Sequence, residues 1–138
     1  MDTDRMRQKA FRLRLGAVLH FLIAAGHLAC LFFLEEAFKA YGIWELVKRL
    51  CLGQTWMLYA VTVFLAIAFA LAGLYALSAS GDVRKLPLPR LVGIAIVAAY
   101  GIRTIIGIYW LASDFSCLQF FSTLAPAILV WCYMPTVR

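Results

Sequence analysis

The chain has 138 residues, 64% hydrophobic and only 14% charged, with a net charge of +6 and a mean hydropathy of +0.88. A water-soluble domain carries nearer half apolar and a quarter charged residues, so this composition calls for a non-aqueous solvent. The positive charge does not point to nucleic acid, because the basic residues gather at the ends of apolar segments, where they meet lipid headgroups and set orientation.

The length suits a single membrane domain over residues 1–138. A transmembrane helix needs about 20 mostly apolar residues, and four stretches qualify. The first is Leu15–Leu34. It follows a basic N-terminus, but its apolar run is too long for a typical signal-peptide core and no A-x-A site ends it, so it reads as a retained helix. Its connection to the second span, Glu35–Gly53, is more than a loop. Tyr41, Trp44, Val47 and Cys51 recur at helical spacing, and Glu35, Glu36 and Glu45 precede Lys39, Lys48 and Arg49 at offsets that pair charges on a helix. We expect a short amphipathic helix over Tyr41–Leu50, lying along the interface, with Gly42 as a potential break.

The second span is Thr55–Leu77. It carries Ala68, Ala72 and Ala76 four apart with Gly73 beside them, a pattern that permits close helix approach. Ser78–Pro89, with Gly81, Pro87 and Pro89, reads as a tight turn. The third span is Leu91–Ala112, and the fourth, Phe115–Met134, contains Pro126, which frees the carbonyl of Ser122. The fold class is therefore all-α, a four-transmembrane-helix bundle.

Orientation follows from the basic residues. Arg5, Arg7, Lys9, Arg12 and Arg14 precede the first span, Arg84, Lys85 and Arg90 lie between the second and third, and Arg138 ends the chain. Against these nine stand only Lys39, Lys48 and Arg49. The positive-inside rule places the nine in the cytoplasm and predicts a multi-pass inner-membrane protein with both termini cytoplasmic and Glu35–Gly53 and Asp114 outside. Trp44, Trp56, Tyr109 and Trp110 mark the outer interface, and Tyr75, Trp131 and Tyr133 the inner one.

Ionisable groups inside a span are costly, which makes each a functional candidate. Here they are His20 and His27 in the first span and Arg103 in the third. From the helical rise, His27 and Arg103 lie at similar depths, about 10 Å and about 13 Å below the outer helix ends. Tyr59, Thr62, Gln119, Ser122 and Thr123 fall in the same zone, so all four spans supply polar atoms to one outer-half layer. Arg103 cannot lose its proton at ordinary pH and needs an acceptor. Glu35, Glu36, Gln119, Ser122, Thr123 or an anionic ligand qualify, with Tyr100 and Trp110 able to lie over the guanidinium. The side chain is expected to point into the bundle. An internal pair that locks helices and a ligand site around Arg103, His27, Tyr100, Gln119, Ser122, Thr123 and Glu35 both remain open.

His20 and His27, seven apart, share one helix face. They are haem-ligand candidates, since neutral imidazole binds iron. One haem held by two axial histidines needs them on opposite sides, though, and the chain has no third histidine. Interior histidines bonded across helices are the simpler account. No metal site is otherwise expected. The four cysteines include no C-x-x-C, which argues against a quinone-linked thiol oxidase; a Cys51–Cys117 bridge is conceivable. No phosphate-binding glycine loop, no H-E-x-x-H and no paired carboxylates occur within a span. The first span also lacks the carboxylate that small multidrug transporters use for cation coupling.

The segment GLYALSASGDVRKLPLPR (Gly73–Arg90), followed by a third span with an internal arginine in YGIRT (Tyr100–Thr104), resembles small uncharacterised bacterial membrane proteins. The whole plan is similar to the broad DoxX-like four-helix group. That resemblance implies a four-helix membrane fold and, for some members, an accessory role beside quinone-linked oxidoreductases; it transfers no site residue. The functional expectation is an accessory or non-catalytic membrane protein that holds a small amphipathic or anionic ligand near Arg103. The alternatives are a quinone- or haem-associated oxidoreductase subunit and a small transporter. Expected partners are the lipid bilayer and a homo-oligomer or larger membrane complex.

Overall fold

A computed structural model describes residues 2–113 and 115–137. Among them every regular element is a helix: α1 (Asp2–Cys30), α2 (Leu34–Ala40), α3 (Trp44–Leu50), α4 (Thr55–Ser80), α5 (Pro89–Ser113) and α6 (Cys117–Val137). Four of these, α1, α4, α5 and α6, are long and apolar enough to cross a membrane. Asp114 and Arg138, both used in the orientation argument, lie outside the described residues.

The largest differences from the sequence expectation have physical reasons. Helix α1 starts at Asp2 rather than near Leu15, because the basic stretch is rich in Arg, Lys, Gln and Met, all good helix formers. At its other end α1 stops at Cys30 rather than Leu34. There the amides of Leu31, Phe32 and Phe33 bond three residues back, tightening the last turn. The connection between the first two spans is helical, as expected, but forms two short helices instead of one. Gly42, at φ +68°, divides them. The Gly42 amide bonds Lys39 O and the Ile43 amide bonds Phe38 O, the pattern that closes a helix when the residue after the cap is left-handed. The same pattern ends α3 at Leu52 and α4 at Gly81. Leu52 adopts φ +52° although it is not glycine.

The chain divides into two compact units, Met1–Leu19 with Ala72–Arg138, and His20–Leu71. In the second unit, Leu34, Cys51 and Leu58 form a buried cluster, with Cys30, Phe38, Trp44, Val47 and Met57 packed against it. This cluster fixes α2 and α3, each too short to be stable alone. Lys39 pairs with Glu35 at 2.7 Å and lies 5.8 Å from the Trp44 ring. The Glu35 bond holds the lysine's pKa above its usual value.

The first unit is built around α6. Leu13, Ala17, Ala76, Leu129, Cys132 and Tyr133 are buried. Helix α5 approaches α6 where it has no side chain: a Cβ on Gly107 would meet Thr123 Cγ2 at 2.8 Å, and one on Gly93 would meet Thr136 Cβ at 2.7 Å. Helix α1 does the same at Gly16, where a Cβ would sit 2.9 Å from the Tyr133 ring. The Tyr133 hydroxyl donates to Ala72 O at 2.9 Å, tying α6 to α4. The α4–α5 turn is closed by Ser78, whose hydroxyl accepts from the Leu86 amide at 2.8 Å and donates to Arg84 O at 3.2 Å. Arg14 then binds Asp82 through two bonds of 2.8 and 2.6 Å, which joins α1 to that turn.

Two outcomes follow from these contacts. Gly107→Ala should lower stability by ~1–3 kcal/mol, as overpacking does, and Thr123→Ala in the same chain should recover part of it by removing the atoms the new methyl strikes. Thermal melting of the purified protein in detergent checks both, and an unchanged Gly107→Ala midpoint would contradict the close approach. The second concerns acid. The Arg14 and Ser80 hydrogen bonds hold Asp82 down to about 2, below its ordinary 3.8. A depressed carboxylate stabilises the fold above its unfolded value and loses that contribution as pH falls through the folded one. The Asp82 contribution should thus be constant above pH 3.8 and vanish toward about 2. The pair is exposed, so the effect is modest and weakened by salt. Asp82→Asn should flatten that part of the melting-midpoint profile, measured against pH.

Candidate functional site

Arg103 sits close to the middle of α5, about 15 Å from the Ser113 end by helical rise. One turn further on, Gly107 is buried and brings α6 close. That approach puts Ser122 within reach, and Arg103 Nη2 donates to Ser122 Oγ at 3.3 Å. Ser122 passes the interaction on, donating to Gln119 O at 3.1 Å. The Thr123 hydroxyl, buried, donates to the same carbonyl at 2.8 Å. Tyr100, half-buried one turn before Arg103, offers its carbonyl to Thr104 Oγ1 at 2.7 Å. The first unit thus assembles Arg103, Tyr100, Ser122, Thr123 and the Gln119 backbone along the α5–α6 seam. Ser116 starts α6 by accepting from the Gln119 amide at 3.1 Å.

One expectation is corrected. The Arg103 side chain is exposed rather than turned into the packed interior. Its guanidinium still reaches across the seam to Ser122, one of the acceptors expected for it. Its bond partner is a neutral hydroxyl, and among the described residues no carboxylate forms an ion pair with it.

His27 and Glu35 belong to the second unit. The Glu35 carboxylate is engaged by Lys39. His27 Nδ1 lies 2.8 Å from Ile23 O. A carbonyl only accepts, so Nδ1 carries a proton in this contact. His20 is fully buried, and Phe69 lies against both imidazoles, with centroid separations of 6.3 Å to His20 and 4.9 Å to His27. Among the described residues no group of three or more His, Cys, Asp or Glu is placed to hold a metal. The four cysteines are free, so no Cys51–Cys117 bridge forms.

A second polar region escaped the sequence reading, which took its basic residues only as orientation signals. Arg12 lies with its guanidinium carbon 4.2 Å from the Trp131 ring centroid, linking α1 to α6. The available signal was the spacing of Arg5, Gln8, Lys9 and Arg12, which sets them on one helix face.

No family model matches the chain, and neither the curated proteins nor the solved structures contain a match to it.

Proposed function

We propose that this chain is a non-catalytic, accessory-type inner-membrane protein with four spans and cytoplasmic termini, and that Arg103 holds an anionic group carried by another, amphipathic molecule. The observation that carries this reading is an exposed arginine halfway along an apolar helix whose bond partner is the neutral Ser122 hydroxyl. An arginine at that depth facing hydrocarbon costs at least ~2.5 kcal/mol, so an anionic neighbour is strongly favoured. The chain does not carry one at that depth: α4, α5 and α6 contain no Asp or Glu, and the only acids of α1 are Asp2 and Asp4 at its start. A second copy of the chain therefore brings no carboxylate to the middle of the membrane. The exposed Ile102 and Ile106 beside Arg103 suit an apolar tail. Orientation rests on the nine-to-three distribution of Lys and Arg.

Arg103→Leu tests the ligand. The variant should melt close to the wild-type temperature, while an anionic amphiphile extracted with the wild-type protein and detected by mass spectrometry should disappear. If both proteins carry the same anionic molecules, the ligand reading fails. Single-cysteine labelling in a cysteine-free background tests orientation. An impermeant reagent added from the periplasmic side should modify Glu45→Cys and spare Ser80→Cys, and the reverse pattern would invert the topology.

A further inference from the structure

We infer that the first unit carries a second binding site, a basic groove that takes a phosphate ester, and specifically the phosphodiester headgroup of an anionic phospholipid. It is separate from the Arg103 region and does not depend on it.

The groove has a volume of about 470 Å³, within the usual range for small-molecule sites. One wall is the α1 face formed by Arg5, Gln8, Lys9 and Arg12. The facing wall is the end of α6, with Trp131, Met134 and Pro135. The two walls differ in chemistry. The first presents three cations and an amide, and the second is apolar.

Three observations point to an anion. First, the structure's other α1-linked cation pair is satisfied, Arg14 by Asp82, whereas no carboxylate lines this groove. Among the described residues Asp4, near the start of α1, forms no ion pair with Arg5, Lys9 or Arg12. Second, Arg12 is held in place rather than free to swing, its guanidinium lying over Trp131 at 4.2 Å. Stacking leaves the edge of a guanidinium able to bind two oxygens of a phosphate. Third, Arg12 Nε is buried and has no hydrogen-bond partner. A buried donor without an acceptor is unfavourable, so the protein alone leaves the Arg12 guanidinium incompletely satisfied.

The apolar wall decides between sources. A free phosphate has no use for Trp131, Met134 and Pro135, whereas a lipid headgroup brings a glycerol and the start of its acyl chains. The groove also lies at the end of two span-length helices, where headgroups reside. Clusters of Lys and Arg beside a span attract anionic lipid by about 1 kcal/mol each, roughly five-fold in affinity.

The test is lipid retention by the full-length protein in detergent, counted by native mass spectrometry after titration with phosphatidylglycerol or, separately, phosphatidylcholine. The wild-type protein should retain phosphatidylglycerol in preference. Lys9→Gln, at an exposed position that the fold does not need, should weaken retention about five-fold, and Arg12→Gln by at least as much. Arg84→Gln with Lys85→Gln, which removes two charges from the α4–α5 turn, should leave it unchanged. Glycerol 3-phosphate should compete poorly. If it displaces the lipid fully at equal concentration, the groove belongs to a soluble phosphate ester and the lipid assignment is overturned. Retention unchanged in both Lys9→Gln and Arg12→Gln would overturn the site itself, as would an equal loss in the turn variant.

Discussion

Helix α6 is packed most closely against three glycines of its neighbours, and the first unit depends on that contact. Gly93 and Gly107 of α5 face Thr136 and Thr123, and Gly16 of α1 faces Tyr133 and Cys132. In an apolar solvent the hydrophobic effect does not drive helices together, so close packing and hydrogen bonds must do so. Glycine allows the close packing, since the backbones draw near, while the Thr123 and Thr136 hydroxyls satisfy carbonyls of their own helix. The Tyr133 bond to Ala72 O supplies the hydrogen bond, a buried phenol spent on joining α6 to α4. The same contacts position the polar groups. Gly107 brings Ser122 to Arg103, and the Gly16 approach keeps α1 against α6 where Arg12 meets Trp131.

The charged residues sort by what neutralises them. Arg14 and Lys39 have carboxylates, from Asp82 and Glu35. These pairs are exposed and contribute little energy singly. Their role is geometric, one fastening α1 to the α4–α5 turn and the other stiffening α2. Arg103 and Arg12 are different. Each is engaged by a neutral group, a hydroxyl in one case and an indole face in the other, which orients a guanidinium without cancelling its charge. Charge left uncompensated in a chain this apolar is costly to keep, which is the common ground of the two binding proposals.

Much of the architecture was legible in the sequence because one property, apolar length, determines it. The four spans and the helical connection between the first two follow from runs of about 20 apolar residues and from charge spacing. The ends were less legible. The sequence extended the first span to Leu34, but Leu34 is buried against Cys51 and Leu58 as the start of a separate helix. That contact lies far along the chain and leaves no local trace. Gly42 was readable as a break because positive φ favours glycine, whereas Leu52, which ends α3 in the same way, was not. For the candidate site, the helical spacing correctly set Gly107 beside Arg103. It could not reveal that Arg103 would be exposed while bonded to Ser122 across the α5–α6 seam.

The two uncompensated arginines also differ in depth, and depth sets what each can bind. At the end of α1 and α6, water and headgroups compete for Arg12, so affinity there must come from several cations acting together with an apolar wall. Midway along α5, with little water to screen it, a single arginine interacts far more strongly with any anion that reaches it. It also admits few anions, because the ligand must itself enter the apolar phase. An anionic headgroup abundant in the leaflet suits the groove. A scarcer amphiphile, or the acidic residue of another membrane subunit, suits Arg103. On α6 the two sites are marked by Ser122 and Trp131, nine residues and so about 14 Å apart, which is why each calls for its own variant.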